Sequence, residues 1–225
     1  MLNFLYPARC LLCRLPGRNL CQSCLDALPR LSEASCSQCA APHAGQAGSR
    51  CARCQLDPPP FHSCSAAFVY DTPLDQAIHQ WKYHGRLVWT QALAESWLAA
   101  TGPNRDRPQA LLPVPLHWRR LASRGFNQAG LLAHHWGRAL DIPVLHHHAR
   151  RLRHTQQHAR LKRSERLQDS EAIFRVRPLP VRHLAIIDDV LTTGGTVSAL
   201  AHAALAAGAE RVDVWVLART LQSQT

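Results

Sequence analysis

Leu184-Ala185-Ile186-Ile187-Asp188-Asp189-Val190-Leu191-Thr192-Thr193-Gly194-Gly195-Thr196 passes from an apolar run to an acidic pair, then to a hydroxyl- and glycine-bearing loop and the start of a helical pattern. An unbroken run such as Leu184 to Ile187 reads as a central parallel strand, buried on both faces. In open α/β sheets ligands bind beyond the carboxyl ends of the strands, which is where Asp188 and Asp189 fall. Neighbouring strand residues face opposite ways, so the two carboxylates are free to do different work. Carboxylates accept hydrogen bonds from sugar hydroxyls and hold Mg²⁺ through water. Val190, Leu191, Thr192 and Thr193 then lead into Gly194 and Gly195, where the chain can approach a phosphate closely. A helix opening near Thr196 aims its positive end at that phosphate. The segment suits a sugar diol and a 5′-phosphate held a few residues apart; the other reading is a strand-to-helix turn with fortuitous polar residues.

Working outward, strands and helices alternate from Ala66 onward, which predicts an α/β domain with a parallel sheet flanked by helices. Ala66 to Tyr70 reads as a strand, and Pro73 opens a helix carrying Leu74, Ile78 and Trp81 at helical spacing. A second helix is predicted from about Leu87 to Ala99, before Gly102-Pro103, and a short buried strand from Ala110 to Val114. Asn127 is placed to cap a helix running to Leu140, and Ile142 to Leu145 is a further strand candidate. The stretch from His146 to Ser170 is polar, basic and weakly periodic, as in a functional lid or mobile arm. The helix from Thr196 to Ala207 ends at Gly208, and Val212 to Leu217 closes the sheet. Most of the tryptophans, at helical or strand spacing, read as core.

The first quarter of the chain is different. Eight of the nine cysteines form four C-x-x-C pairs: Cys10/Cys13, Cys21/Cys24, Cys36/Cys39 and Cys51/Cys54. Each pair points two thiolates at one centre, and two pairs complete a tetrahedral site that suits zinc. Eight ligands make two structural zinc sites, by sequential or by cross-braced pairing of the knuckles. Disulfides need an oxidising compartment, and an iron–sulfur cluster is the remaining competitor. So small and polar a segment has too little apolar residue to fold without its metal. It ends near Asp57-Pro58-Pro59-Pro60, a stiff linker, which divides the chain into residues 1–57 and 58–225. Cys64 stands alone, as a cap of the module or a core residue. His146, His147 and His148 invite a metal reading, but three consecutive side chains share one tetrahedral centre poorly and read as exposed loop.

The 225 residues allow one ordinary domain and a small one, and 46% hydrophobic with 18% charged residues is a globular composition, not a disordered one. A formal charge of +11 favours polyanions such as nucleic acid, nucleotides or pyrophosphate, though a solvated basic surface gives the same sum. A transmembrane helix needs about 18 consecutive apolar residues, which the chain lacks. Met1 to Pro7 is too short for a signal sequence, so a cytoplasmic protein with no membrane insertion is expected.

At nearly every position Leu184 to Thr196 resembles the phosphoribosyl-pyrophosphate (PRPP) loop of type I phosphoribosyltransferases. Further segments are similar to the ComF family, almost from end to end. They are the cysteine knuckles, Tyr70 to Leu74, Lys82 to Arg86, Pro113 to His117, Arg124 to Gln128, and Gly208-Ala209 with Val212 to Val214. The resemblance implies a type I phosphoribosyltransferase-like sheet behind a double zinc ribbon. It also implies PRPP or a related ribose phosphate, bound with Mg²⁺, as ligand, Asp188 and Asp189 acting on the ribose and Val190 to Thr196 on the phosphate. Pro115 and Leu116 fall where such transferases carry the pyrophosphate loop, followed by Arg119, Arg120 and Arg124. At least one of those arginines is expected to be a solvated turn residue. Lys82 either reaches a phosphate or is an ordinary surface lysine. The arm Arg153 to Arg166 corresponds to the family's flexible cover, here with His158 where Gln is expected and Asp169 where Asn is. Family members are linked to natural transformation, so single-stranded DNA and a DNA-uptake helicase are implied partners. The outcome is either phosphoribosyl transfer to an acceptor or DNA binding with a regulatory or vestigial ribose-phosphate site.

Overall fold

The computed structural model describes residues 8–102, 106–152 and 173–221. Four parallel strands form the sheet in the order β1, β6, β5, β2: β1 Ser63–Val69, β2 Ala110–Pro113, β5 His183–Leu191 and β6 Arg211–Arg219. Helices α3 (Leu74–His84), α4 (Val88–Thr101), α6 (Gln128–Leu140) and α7 (Gly195–Ala206) flank it. A second ribbon pairs β3 (Ala149–Arg151) with β4 (Phe174–Val176) in antiparallel register. Two short helices, α1 (Gln22–Asp26) and α2 (Ala52–Leu56), lie in the cysteine-rich segment, and α5 (Trp118–Arg124) follows β2. The predicted parallel sheet and its flanking helices are present.

The two-residue period of β5 decides what lies on each side. Ala185 and Ile187 pack with α3, α4 and α6 in one apolar cluster, while Leu184 and Ile186 pack with α7 in the other. Of the six tryptophans, Trp81, Trp89, Trp97, Trp136 and Trp215 are buried in the first cluster. Trp97 stacks on Trp136 at 4.1 Å between centroids, and its indole N–H donates to the Val216 carbonyl at 2.8 Å, so the ring fills volume without stranding a donor. Trp118 is the exception, 65% exposed.

Three sequence expectations change. Ile142 to Leu145 is not a full strand: only Val144 bridges Leu111, because Pro143 has no N–H to extend the ladder. The turn expected after Leu116 is the helix α5, capped by the His117 side chain, which accepts from the Arg119 amide. Both ends of the basic stretch beyond His146 are tied together by the β3–β4 ribbon; the arm itself, with His158 and Asp169, lies outside the described residues.

The cysteine-rich segment docks on the sheet. The Val69 amide donates to the Pro29 carbonyl and the Leu31 amide to the Ala67 carbonyl, so residues 29–31 cover the outer edge of β1. Leu28 enters the tryptophan-bearing cluster, and the Gln38 side-chain amide donates to the Pro59 and Phe61 carbonyls across the proline linker. Cys64, on β1, is half-buried against the second cluster. Among the described residues, no helix is long and apolar enough to cross a membrane.

Candidate functional site

Sulfur atoms gather into two groups, Cys10, Cys13, Cys21 and Cys24, then Cys36, Cys39, Cys51 and Cys54, each with all ligand atoms within 4.8 Å of one another. The pairing is therefore sequential. Cys13 and Cys21 Sγ atoms are 3.6 Å apart and those of Cys39 and Cys51 3.8 Å. Four sulfurs held about 2.3 Å from one zinc in a tetrahedron lie about 3.8 Å from each other, so the sites have zinc dimensions. Backbone amides point at the sulfurs: Cys21 donates to Cys10 Sγ, and Cys39 and Cys51 donate to Cys36 Sγ at 3.5 and 3.3 Å. Burial pushes the Cys10 and Cys36 thiols up, but these amide donors outweigh it and bring both down to about 6, toward the thiolate a metal needs. His146 and His147 are exposed, and among the described residues the metal-competent groups are these two cysteine sets.

At the opposite end of the molecule's chemistry lies the acidic pair. Asp189 belongs to the α3 face of β5, and there it accepts from Lys82 Nζ at 2.8 Å. Burial depresses the Lys82 ammonium, but the Asp189 and Asp188 carboxylates more than offset it and hold the ammonium above its ordinary value. Asp188, half-buried, accepts the Asp189 amide at 2.9 Å. Burial, then the neighbouring Asp189 charge, push its carboxyl up to about 7, against the pull of that amide, Lys82 and Arg151. The two carboxylates thus differ: Asp189 is paired with the Lys82 ammonium, and Asp188 is held by a backbone amide.

Beyond the pair, Val190 is half-buried and Leu191 is buried beneath α7, while Thr192 and Thr193 are exposed. Gly194, at φ +83°, takes the left-handed turn that starts α7, a conformation costly for any residue with a Cβ. Gly195 and Thr196 form the first turn of the helix, their amides open to a bound anion.

A cavity of about 490 Å³ adjoins Lys82, lined also by Tyr83, Gly85, Arg120, Ser123 and Arg124. Its cations come from two elements: the last turn of α3 and one face of α5, on which Arg120 and Arg124 are four residues apart. Arg124 is oriented by the Gln128 side-chain oxygen at 2.8 Å and lies over the Tyr83 ring. Arg119 turns away from this face and covers the exposed Trp118 ring, at 5.3 Å from its centroid. Pro115 and Leu116 are half-buried in the connection between β2 and α5. Lys82, Arg120, Arg124 and the acidic pair are therefore brought together, and Arg119 is not.

Some residues at this site escape sequence reading. Arg151 of β3 feels both Arg120 and Asp188: burial and then Arg120 lower its pKa, and Asp188 opposes them. Tyr83 and Ser123 line the cavity, and Arg219 of β6 holds the loop from behind. Tyr83 lies within the Lys82 to Arg86 segment, but no role is read for it there; Arg151, Ser123 and Arg219 belong to no segment singled out in the sequence, and only the fold collects them.

Comparison with known proteins finds likeness along nearly the whole chain. Residues 1–55 match the Double zinc ribbon domain family. The chain is 36% identical to the DNA utilization protein YhgH of Salmonella typhi, over 96% of this chain and 98% of that protein. It is 31% identical to Competence protein F of Haemophilus influenzae, over 97% and 100% of the two chains. Competence protein ComFC of Bacillus subtilis is 28% identical, over 91% of this chain and 86% of that protein. Likeness sustained along nearly the whole of both chains, with the paired knuckles at the front, makes this protein a member of the ComF family.

Proposed function

We propose that the chain binds PRPP at the carboxyl end of β5 in a cytoplasmic, DNA-uptake role, with residues 58–225 as the ligand-binding domain and 1–57 as its zinc module. The observation that carries this reading is the 2.8 Å Lys82–Asp189 contact, which joins the acidic pair and its phosphate-type loop to the basic cavity. Amides and hydroxyls of Thr192 to Thr196 take the 5′-phosphate, and the carboxylates of Asp188 and Asp189 take the ribose diol. Lys82, Arg120 and Arg124 face the pyrophosphate, which guanidinium forks suit bidentately. Asp188, the carboxylate without a lysine, is the residue to hold Mg²⁺, which supplies neutralising charge to the pyrophosphate. In a transfer reaction the bond from the anomeric carbon to pyrophosphate breaks as an acceptor nucleophile bonds to that carbon. The carboxylates stabilise the positive charge that develops on the ribose, and the cavity cations the charge on the leaving group.

Calorimetric titration of PRPP with Mg²⁺ into zinc-loaded protein tests this, beside Asp188→Ala/Asp189→Ala. Binding in wild type that the double variant loses is expected; a well-folded wild type that takes up no PRPP refutes the reading.

A second reading rests on exposed aromatics. Tyr83 lines the cavity and Trp118 opens α5, the helix that supplies Arg120 and Arg124 to it; each ring is 65% exposed and lies beneath an arginine, which suits stacking bases and neutralising phosphates of single-stranded DNA. A DNA-uptake helicase is the partner such a role calls for. Salt-sensitive single-strand binding that survives Asp188→Ala/Asp189→Ala and is lost in Tyr83→Ala/Trp118→Ala would favour it.

A further inference from the structure

Arg219 is 2% exposed at the end of β6, yet it carries a full charge. Its Nη1 donates to the Leu191 carbonyl at 2.8 Å, to the Thr192 carbonyl, and to the Thr220 carbonyl and hydroxyl at 3.2 Å each. Its Nε reaches the other way, to the carbonyl of Cys39 at 3.2 Å. One planar guanidinium thus spans the second four-cysteine site and the loop that follows the acidic pair, residues separated by about 150 positions of chain.

The consequence follows from peptide geometry. A trans peptide sets its N–H opposite its C=O. Pinning the Leu191 and Thr192 carbonyls inward turns the Thr192 and Thr193 amides outward, on the side where both residues are exposed. All acceptors of Arg219 among the described residues are neutral, so the buried charge is met by dipoles and leaves a positive field behind the loop. An anion on the outer side would complete the compensation. The hold on Arg219 is only as firm as Cys39, a residue whose own position depends on the second metal site.

We propose that Arg219 is a positioning residue that couples the second zinc site to the phosphate loop, so that zinc held by Cys36, Cys39, Cys51 and Cys54 sets the loop's affinity for an anionic ligand. This rests on the PRPP reading for the identity of the ligand, but not for the coupling itself.

Hydrogen exchange at the Thr192 to Gly195 amides reads the coupling without any ligand. In the full zinc-loaded chain, Arg219→Lys keeps the charge and loses the fork, and loop exchange is expected to accelerate about ten-fold while the β2 amides stay at wild-type rates. Should Arg219→Lys fail to fold, the wild type and Cys10→Ser/Cys13→Ser decide the matter under a chromophoric chelator. Loop exchange must rise when the second site empties, and must be unchanged in the variant that lacks only the first. Linkage adds a readout that a purely structural arginine would not move. Saturating PRPP with Mg²⁺ must tighten zinc binding at the second site, read by equilibrium competition with the chelator, by the same factor by which that zinc tightens PRPP, about five-fold or more. Loop exchange indifferent to both Arg219→Lys and the second zinc overturns the coupling. A wild type that binds no PRPP overturns the ligand reading alone, and the exchange rates then decide the coupling.

Discussion

Residues 8–57 bury Cys10, Leu28, Cys36, Gln38, Ala40 and Cys54, whereas the sheet domain buries two continuous apolar clusters on either side of β5. One region is held by ligand bonds to metal and the other by removing apolar surface from water. The difference teaches where each is vulnerable: the module to anything that competes for zinc or oxidises thiolates, the sheet to loss of packed volume. The two regions also share backbone at the edge of β1 and through Arg219, so the comparison can be broken as well as sharpened.

Metal removal carries the largest expected effect, since zinc binding to small structural modules is worth about 10–16 kcal/mol near neutral pH. Metal analysis should find two zinc ions per chain, and a chelator should withdraw the first site's ion ahead of the second's, because Cys13 is exposed while Cys36 and Cys54 are buried. Near-ultraviolet circular dichroism of the tryptophan cluster should outlast the loss of zinc. Simultaneous collapse of both signals would merge the two regions into one cooperative unit. Next in size is Trp97→Ala, expected to cost about 3–5 kcal/mol by denaturant unfolding, with zinc stoichiometry unchanged. Loss of zinc along with the tryptophan would again break the division.

Asp188→Asn should have the smallest effect and the opposite sign. The Asp188 carboxyl rises from 3.8 to about 7 in the folded chain, so between those pH values the folded state keeps a proton that the unfolded state has released. That contribution lowers stability as pH climbs through the interval and is fully present above it. The asparagine variant should therefore be more stable than wild type by on the order of 1 kcal/mol near pH 8, and level with it near pH 3. Denaturant midpoints at the two pH values check this. A gain would place the strain of the sheet at its carboxyl end, apart from its well-packed interior.

Much of this was readable in the sequence because the relevant signals are local. The apolar run into Asp188-Asp189, the Asn127 cap, whose side chain accepts from the Ala129 amide, and the knuckle spacing each sit within a few residues. The helix α5 was not, because Trp118 to Arg124 has no apolar stripe to bury and none of its residues is buried. Strands β3 and β4 are three residues each and pair across a long intervening segment, so neither carries a periodic signal. Arg219 reads as an ordinary charged residue at a strand end; its burial depends on carbonyls from Cys39, Leu191 and Thr192, which only the folded topology assembles. Pairing of knuckles was likewise undetermined by spacing and is decided by which sulfurs the fold brings within 4.8 Å of one another.

The covering of β1 by residues 29–31 reaches beyond this one molecule. A β1 stripped of that cover would offer a bare row of amides and carbonyls to any passing chain. Metal starvation would then act on the population and not just on the single protein: copies lacking zinc would seed one another's aggregation, and supply of the ion would govern how much of the protein a cell keeps in solution.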